Sequence, residues 1–291
     1  MATWSMTTTA LQVCTSAFLL LMILCTIIVA NFELFHCVLK HGKLLVSGDE
    51  VDDKSLVHYF NKLKVPKRYF RHMYWTGLAS TLIIVLLVKY GHYKINKDTI
   101  FIIFLFFLHV LRRLWECYYM TLYQNSSMHI MGYLVGIVHY IISPLCILTI
   151  SNCKEYQRVT IIAVVKKLIS ITIFTCGTYI QYHSHHTFYK LKERKIEIKN
   201  EPQYEKNYSH SLPTGFLFNY ICCPHYFGEI LIYFSFCIFT SEISMSMILL
   251  VVWVQSNLSV VALQNLKWYK NKFGRDPNFP KSWKSVIPFI Y

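Results

Sequence analysis

The sequence predicts an all-α, polytopic membrane protein with about seven transmembrane helices, and three observations carry that prediction. The chain of 291 residues is 54% hydrophobic and only 15% charged, with a mean hydropathy of +0.37; a water-soluble domain does not have that composition. Seven apolar runs approach or exceed the ~20 residues a helix needs to cross a bilayer. The lysines and arginines between those runs are distributed unevenly, as in the loops of a membrane protein. In a soluble protein a formal net charge of +14 would point to nucleic acid. Here the basic residues gather in connecting segments, so no nucleic-acid partner is expected. The charge reads instead as topology and as attraction to an anionic leaflet or cofactor.

The runs lie at roughly 10–34, 73–91, 99–121, 129–150, 159–182, 221–241 and 243–264. The first has no basic residue before it and is too long for a signal-peptide core, so it is expected to be a retained helix at the periphery of a single domain spanning 1–291. The fifth is interrupted by Lys166 and Lys167, and a very short turn joins the sixth to the seventh. Loops 35–72, 122–128 and 183–220 and the tail after 264 together carry 20 Lys and Arg, against five on the other side. The positive-inside bias then puts the N-terminus outside, in the lumen, and the C-terminus in the cytosol. Sequons at Asn125 and Asn207 fall on the cytosolic side and are expected to be unmodified. The DEVDD run at 49–53 reads as a solvated charge cluster rather than a metal site, because no ligands of complementary spacing accompany it. Ten cysteines without a C-x-x-C pair read as reduced, small hydrophobes.

Four polar groups share one face of the third run: His109, Arg112, Arg113 and Glu116, at i, i+3, i+4 and i+7. An Arg–Glu pair can serve simply to join two helices, but four such groups exceed that need. His109, Arg113 and Glu116 are therefore expected to line a buried cavity. Gln181 and His185 are one turn apart at the end of the fifth run, with His183 and His186 beside them and Lys190, Lys192, Arg194 and Lys195 following. Those histidines face different directions, so no metal is expected; the basic run suits either a membrane anchor or nucleotide phosphates. His225 and Glu229 stand one turn apart at the mouth of the sixth run, where an ionisable pair is costly enough to imply a role, structural or functional. Asn257, Gln264 and Asn265 place amides along the seventh, and Tyr269 follows one turn later. No G-x-G-x-x-G follows a strand, and there is no P-loop, G-x-S-x-G or H-E-x-x-H.

From about residue 65 onward the chain resembles the steroid 5α-reductase family. The resemblance rests on PTGFLFNYICCPHYFGEI from Pro213, on Lys267-Trp268-Tyr269, and on Pro280-Lys281 followed by Ile287-Pro288-Phe289. VPKRYFRHMY at Val65–Tyr74 and the L-x-x-R-R-L-x-E-C pattern at 108–117 are similar to its polyprenol (polyprenal) reductase branch. The resemblance implies seven helices enclosing NADPH, with a cofactor part at about 181–291. It places cofactor contacts at Gln181, His185, Lys192, His210, His225, Glu229, Asn265, Tyr269 and Lys281. Leu266 and Trp283 depart from the family pattern, which has a histidine and a basic residue there.

The implied chemistry is hydride transfer to the β-carbon of a conjugated carbonyl and protonation of the α-carbon. His72 and Tyr74, from the branch motif, are the expected donors to the carbonyl oxygen. The implied substrate is a long-chain polyprenoid lipid of the endoplasmic reticulum membrane, reduced on the path to dolichol in support of N-glycosylation. Physical reasoning favours the aldehyde over the alcohol, since only the aldehyde can take up negative charge on oxygen. A 3-oxo-Δ4-steroid or an enoyl thioester is the alternative within the family. Outside it stand a membrane methyltransferase and a transporter or proton channel. A transporter would be expected to show repeated halves and broken helices, which the sequence lacks. Oligomeric state is left open.

Overall fold

The computed structural model describes residues 2–31, 62–91, 95–123, 126–152, 160–199, 211–240 and 244–288. Among these are seven helices: α1 (Ala2–Asn31), α2 (Phe70–Tyr90), α3 (Lys97–Tyr119), α4 (Ile130–Leu148), α5 (Ile161–Lys199), α6 (Pro224–Phe239) and α7 (Met245–Phe273). Two three-residue strands, β1 (Lys64–Pro66) and β2 (Ser127–His129), pair antiparallel with Lys64 opposite His129. DEVDD, Asn125, Asn207 and His210 lie outside the described residues.

Five helices, α1, α2, α4, α5 and α7, are long and apolar enough to cross a membrane unaided. The other two need company. Helix α3 carries Lys97, Asp98, Arg112, Arg113 and Glu116 within 23 residues, and α6 has only 16 residues, about 24 Å of helix. Outward-facing side chains such as Leu20, Leu24, Leu82, Ile83, Leu86 and Leu168 are exposed, as lipid-facing positions should be. The architecture is an all-α, multi-pass membrane protein.

Local chemistry sets the ends of the helices. Asn96 caps α3, its Oδ1 accepting from the Thr99 amide and hydroxyl, both at 2.7 Å. Ser244 caps α7 by accepting from the Met247 amide, and Pro224 opens α6 at the position where its missing N–H does no harm. Helix α5 outruns the expected end at 182 and takes the basic run 190–199 into the helix. Apolarity ends where the bilayer ends, but Lys, Leu, Glu and Arg are good helix formers in water too. Tyr189 reinforces the extension by donating to Glu193 one turn on. At the other end of α5, Lys167 is tolerated because its Nζ meets Asp98 Oδ1 of α3 at 2.5 Å.

Three helix pairs position the site. Helices α5 and α6 touch backbone to backbone at Gly177 and Gly228, where a Cβ on either residue would come within 2.7 Å of the other's carbonyl oxygen. Small residues permit this approach inside a membrane. Helix α2 is tied to α4 by Ser80, whose hydroxyl donates to the Tyr140 carbonyl at 2.8 Å. Pro144, four residues on and without an N–H, leaves that carbonyl without its intrahelical donor. Helix α1 joins α7 through Thr15 and Ser16, whose hydroxyls lie 2.8 and 3.0 Å from that of Ser246. The main core includes Phe106, Ile147, Ile232, Phe236 and Leu250.

A second, smaller core closes one end. It holds Cys222, Cys223, Ala262, Leu266, Tyr269, Phe279, Trp283 and Val286. The tail is pinned there by a parallel bridge between Ile221 and Lys284 and by Trp283 Nε1, which donates to the Phe218 carbonyl at 2.5 Å. The two departures from the family pattern, Leu266 and Trp283, thus share one apolar cluster.

Candidate active site

The antiparallel pair of β1 and β2 sets the entry of α2, and a 3-10 turn at Lys67–Tyr69 sets its phase. Tyr74, one turn in, consequently points inward and is only 6% exposed. Its hydroxyl accepts from Arg113 Nη2 at 2.9 Å. Arg113 in turn donates to Glu116 Oε2, and Arg112 donates to Glu116 Oε1. His185 Nδ1, from α5, lies 2.6 Å from Arg113 Nη1 and 2.7 Å from Glu116 Oε2. Arg112 also donates to Gln181 Oε1, and the Gln181 amide donates onward to Glu229 Oε2. His109 Nε2 stands 3.3 Å from the other Glu229 oxygen. Four helices therefore contribute to one continuous network, in which two arginines and two glutamates balance in formal charge.

That balance is what allows the cluster to sit inside an apolar bundle. An unpaired ion there would be expensive, whereas a paired and hydrogen-bonded one is held. The Gly177–Gly228 contact makes the pairing reachable, because Gln181 and Glu229 follow one turn and one residue later on their helices. The accessible surface of the cluster belongs to Arg112, Arg113, His185 and Glu229, whose side chains retain 17%, 14%, 17% and 14% exposure. His109 and Glu116 are fully enclosed behind them. Of the three residues expected to line a cavity, Arg113 alone keeps appreciable side-chain exposure. The long arginine side chains fold across the shorter ones. Arg112, which the sequence placed only in the stripe, is central to the network, and its buried Nε has no acceptor among the described residues.

Other expected site residues divide. His225 borders the cluster, with its ring 5.7 Å from that of His185. Lys192 lies on the His185 face of α5, two turns further on, and donates to the Leu122 carbonyl at 2.8 Å. Tyr269 packs edge-on to Trp283 in the second core, and the Asn265 amide donates to Val261 of its own helix. Lys281 is exposed and outside the cluster. His72 lies apart from the network: it is exposed, stacked on Tyr69 at 4.6 Å, with Nδ1 3.3 Å from the Tyr133 hydroxyl. It stands two residues before Tyr74, and positions i and i+2 on a helix face different ways. The histidines of QYHSHH also part company. His183 rests on Phe216 and His186 on Tyr182, and only His185 enters the network. Among the described residues no three His, Cys, Asp or Glu side chains are grouped to hold a metal ion.

With this geometry in view, similarity to known proteins is informative. Residues 126–291 match the family model described as 3-oxo-5-alpha-steroid 4-dehydrogenase. The chain belongs to the steroid 5α-reductase family. That family is one of oxidoreductases. Its members similar to this chain include a polyprenal reductase of Saccharomyces cerevisiae, 32% identical over 253 residues, covering 87% of this chain and 85% of the relative. A polyprenal reductase of Caenorhabditis elegans is 28% identical and covers 89% and 88% of the two chains. One of Homo sapiens is 24% identical and covers 95% and 93%. The family model begins at residue 126, whereas the cluster draws Tyr74 and the α3 stripe from the region before it.

Proposed function

We propose that this chain is an NADPH-dependent reductase that saturates the α-isoprene double bond of polyprenal in the endoplasmic reticulum membrane. The product feeds dolichol formation and, through it, N-glycosylation. One observation carries the reading. Three of the segments that bear the resemblance meet in a single network: Tyr74 from VPKRYFRHMY, Arg113 and Glu116 from L-x-x-R-R-L-x-E-C, and Glu229 from PTGFLFNYICCPHYFGEI. The names of the similar proteins agree with it.

The residues fit a dinucleotide. Glu229 and Gln181 offer an acceptor and an amide suited to a carboxamide, and the unmatched Arg112 Nε is a buried donor awaiting an acceptor. Lys190, Lys192 and Arg194, beyond the apolar part of α5, suit phosphates. When bound, the cofactor would supply the hydride received by the β-carbon. The chain's own residues orient the substrate, exclude water and meet the charge that develops. Tyr74 accepts a hydrogen bond from Arg113, so its own O–H is free to donate elsewhere and the guanidinium makes it a stronger donor. We assign it to the aldehyde oxygen, where negative charge accumulates. An allylic alcohol offers no such oxygen.

The test uses purified, detergent-solubilised protein with NADPH. Polyprenal should be consumed and polyprenol left untouched, with a 3-oxo-Δ4-steroid as the competing substrate. Direct reduction of polyprenol without an oxidant, or preference for the steroid, would overturn the assignment.

A further inference from the structure

A second polar point lies one turn deeper in the bundle than Glu229. Tyr233 follows Glu229 by four residues on α6, so both project from one face. Tyr233 is fully buried. Its hydroxyl lies 2.7 Å from His139 Nε2 of α4. The His139 ring stands 5.2 Å from that of Trp253 on α7, and the His109 ring, 6.3 Å from Tyr233, connects this point to the network around Glu229. His139 is half-buried despite its central place. Trp253 is only 2% exposed, and its indole N–H has no acceptor among the described residues. An isoprenoid tail has no use for such groups; a head bearing oxygen does. Nothing in the function proposed above employs them.

We infer that Tyr233 is the acid that protonates the α-carbon of the substrate, with His139 restoring its proton. This rests on the reductase reading. Saturating a conjugated double bond adds two hydrogens of different kind. Hydride arrives at the β-carbon and leaves an enolate spread over the oxygen and the α-carbon. Tyr74 stabilises the oxygen end, but the carbon still needs a proton. In the step assigned here the Tyr233 O–H bond breaks and a C–H bond forms at the α-carbon, leaving a phenolate. The phenolate takes the Nε2 proton of the neutral His139 ring through the 2.7 Å contact while Nδ1 of the same ring takes one from solvent as the product leaves, and that solvent proton is the one the reduction consumes. Placement agrees with the order of events: the acid lies about 6 Å along α6 from Glu229, on the membrane side of the residues assigned to the cofactor.

A tyrosine–histidine pair can also serve only to join α4 and α6, and the experiment separates the two roles. Wild type and Tyr233→Phe are compared on a short α,β-unsaturated aldehyde and on the matching nitroalkene. Hydride addition to the nitroalkene gives a nitronate that is stable without protonation on the enzyme. Tyr233→Phe should lose ~10²-fold or more on the aldehyde and stay within about threefold of wild type on the nitroalkene, with NADPH binding by fluorescence unchanged. On the aldehyde its solvent deuterium isotope effect should rise, and the effect of deuterated NADPH should fall, as protonation becomes limiting. His139→Gln, which keeps a hydrogen bond to the phenol, should show an intermediate loss on the aldehyde alone. Parallel losses on both substrates, or full aldehyde turnover by Tyr233→Phe with unchanged isotope effects, would overturn the inference. If wild type reduced neither compound, the reductase reading itself would fall.

Discussion

At the scale of single residues, function turns on which side chains of a helix face inward. Tyr74 and His72 come from the same motif, yet only Tyr74 reaches Arg113. Tyr74→Phe keeps the ring and removes the donor, so turnover of polyprenal should fall by roughly 10²–10³ with NADPH affinity within a few-fold. His72→Ala should leave turnover near wild type. A steady-state assay of both variants decides this, and the reverse pattern would return the role to His72. Glu229→Gln keeps the shape and removes the charge that Gln181 and His109 face. A hydrogen bond to a charged group contributes ~1.5–3 kcal/mol, so the dissociation constant for NADPH should rise about 10- to 100-fold by fluorescence titration. Equal affinity in this variant would show that the cofactor lies elsewhere. The sequence made the composition of this cluster legible, because ionisable groups in an apolar run stand out. It did not reveal the phase of α2, set by the 3-10 turn at Lys67–Tyr69, nor that Arg112 would be as central as Arg113.

At the scale of elements, the crossing of α5 and α6 governs the site. A Cβ on Gly228 would meet the Gly177 carbonyl at 2.6 Å and the Gln181 backbone nitrogen at 3.0 Å, so backbone must shift. Gly228→Ala should therefore destabilise the protein by about 1–3 kcal/mol and weaken NADPH binding, because the shift separates Gln181 from Glu229. Gly136→Ala is the control. Its Cβ would meet mainly the Met73 sulfur and terminal carbon, a flexible side-chain end that can move. Thermal unfolding in detergent should separate the two; equal melting points would remove the crossing from the argument. The helices themselves were legible from their apolar runs, to within a few residues at most ends. The ends of α5 and α7 were not, since hydropathy marks where the bilayer stops and these helices continue past it. The crossing was equally invisible, because two distant glycines carry no sign of their contact. Pro144 was passed over as well, and Ser80 of α2 supplies the bond it withholds.

At the scale of the whole molecule, one end carries the basic part of α5, the β1–β2 pair and the second core, and the Lys/Arg bias predicts a cytosolic location for that end. A tag at the C-terminus should be digested by protease added to sealed microsomes; a tag protected until detergent is added would reverse the orientation. The second core explains why Leu266 and Trp283 can replace the family's polar residues. Both turn into one apolar cluster, and the tail is held by that packing and by the Trp283–Phe218 hydrogen bond. The charge-balanced network has a further consequence, for biogenesis. A translocon tests segments largely one at a time, and each arginine or aspartate at a helix centre opposes insertion by about 2.5–3.5 kcal/mol. Helix α3 emerges carrying two arginines and a glutamate, while Gln181, His185 and Glu229 have yet to be synthesised. Excised and offered alone to microsomes, 97–119 should fail to integrate where 130–148 succeeds. In the nascent chain, then, the helix that holds most of the site is the one that must wait at the membrane's edge for α5 and α6 to admit it.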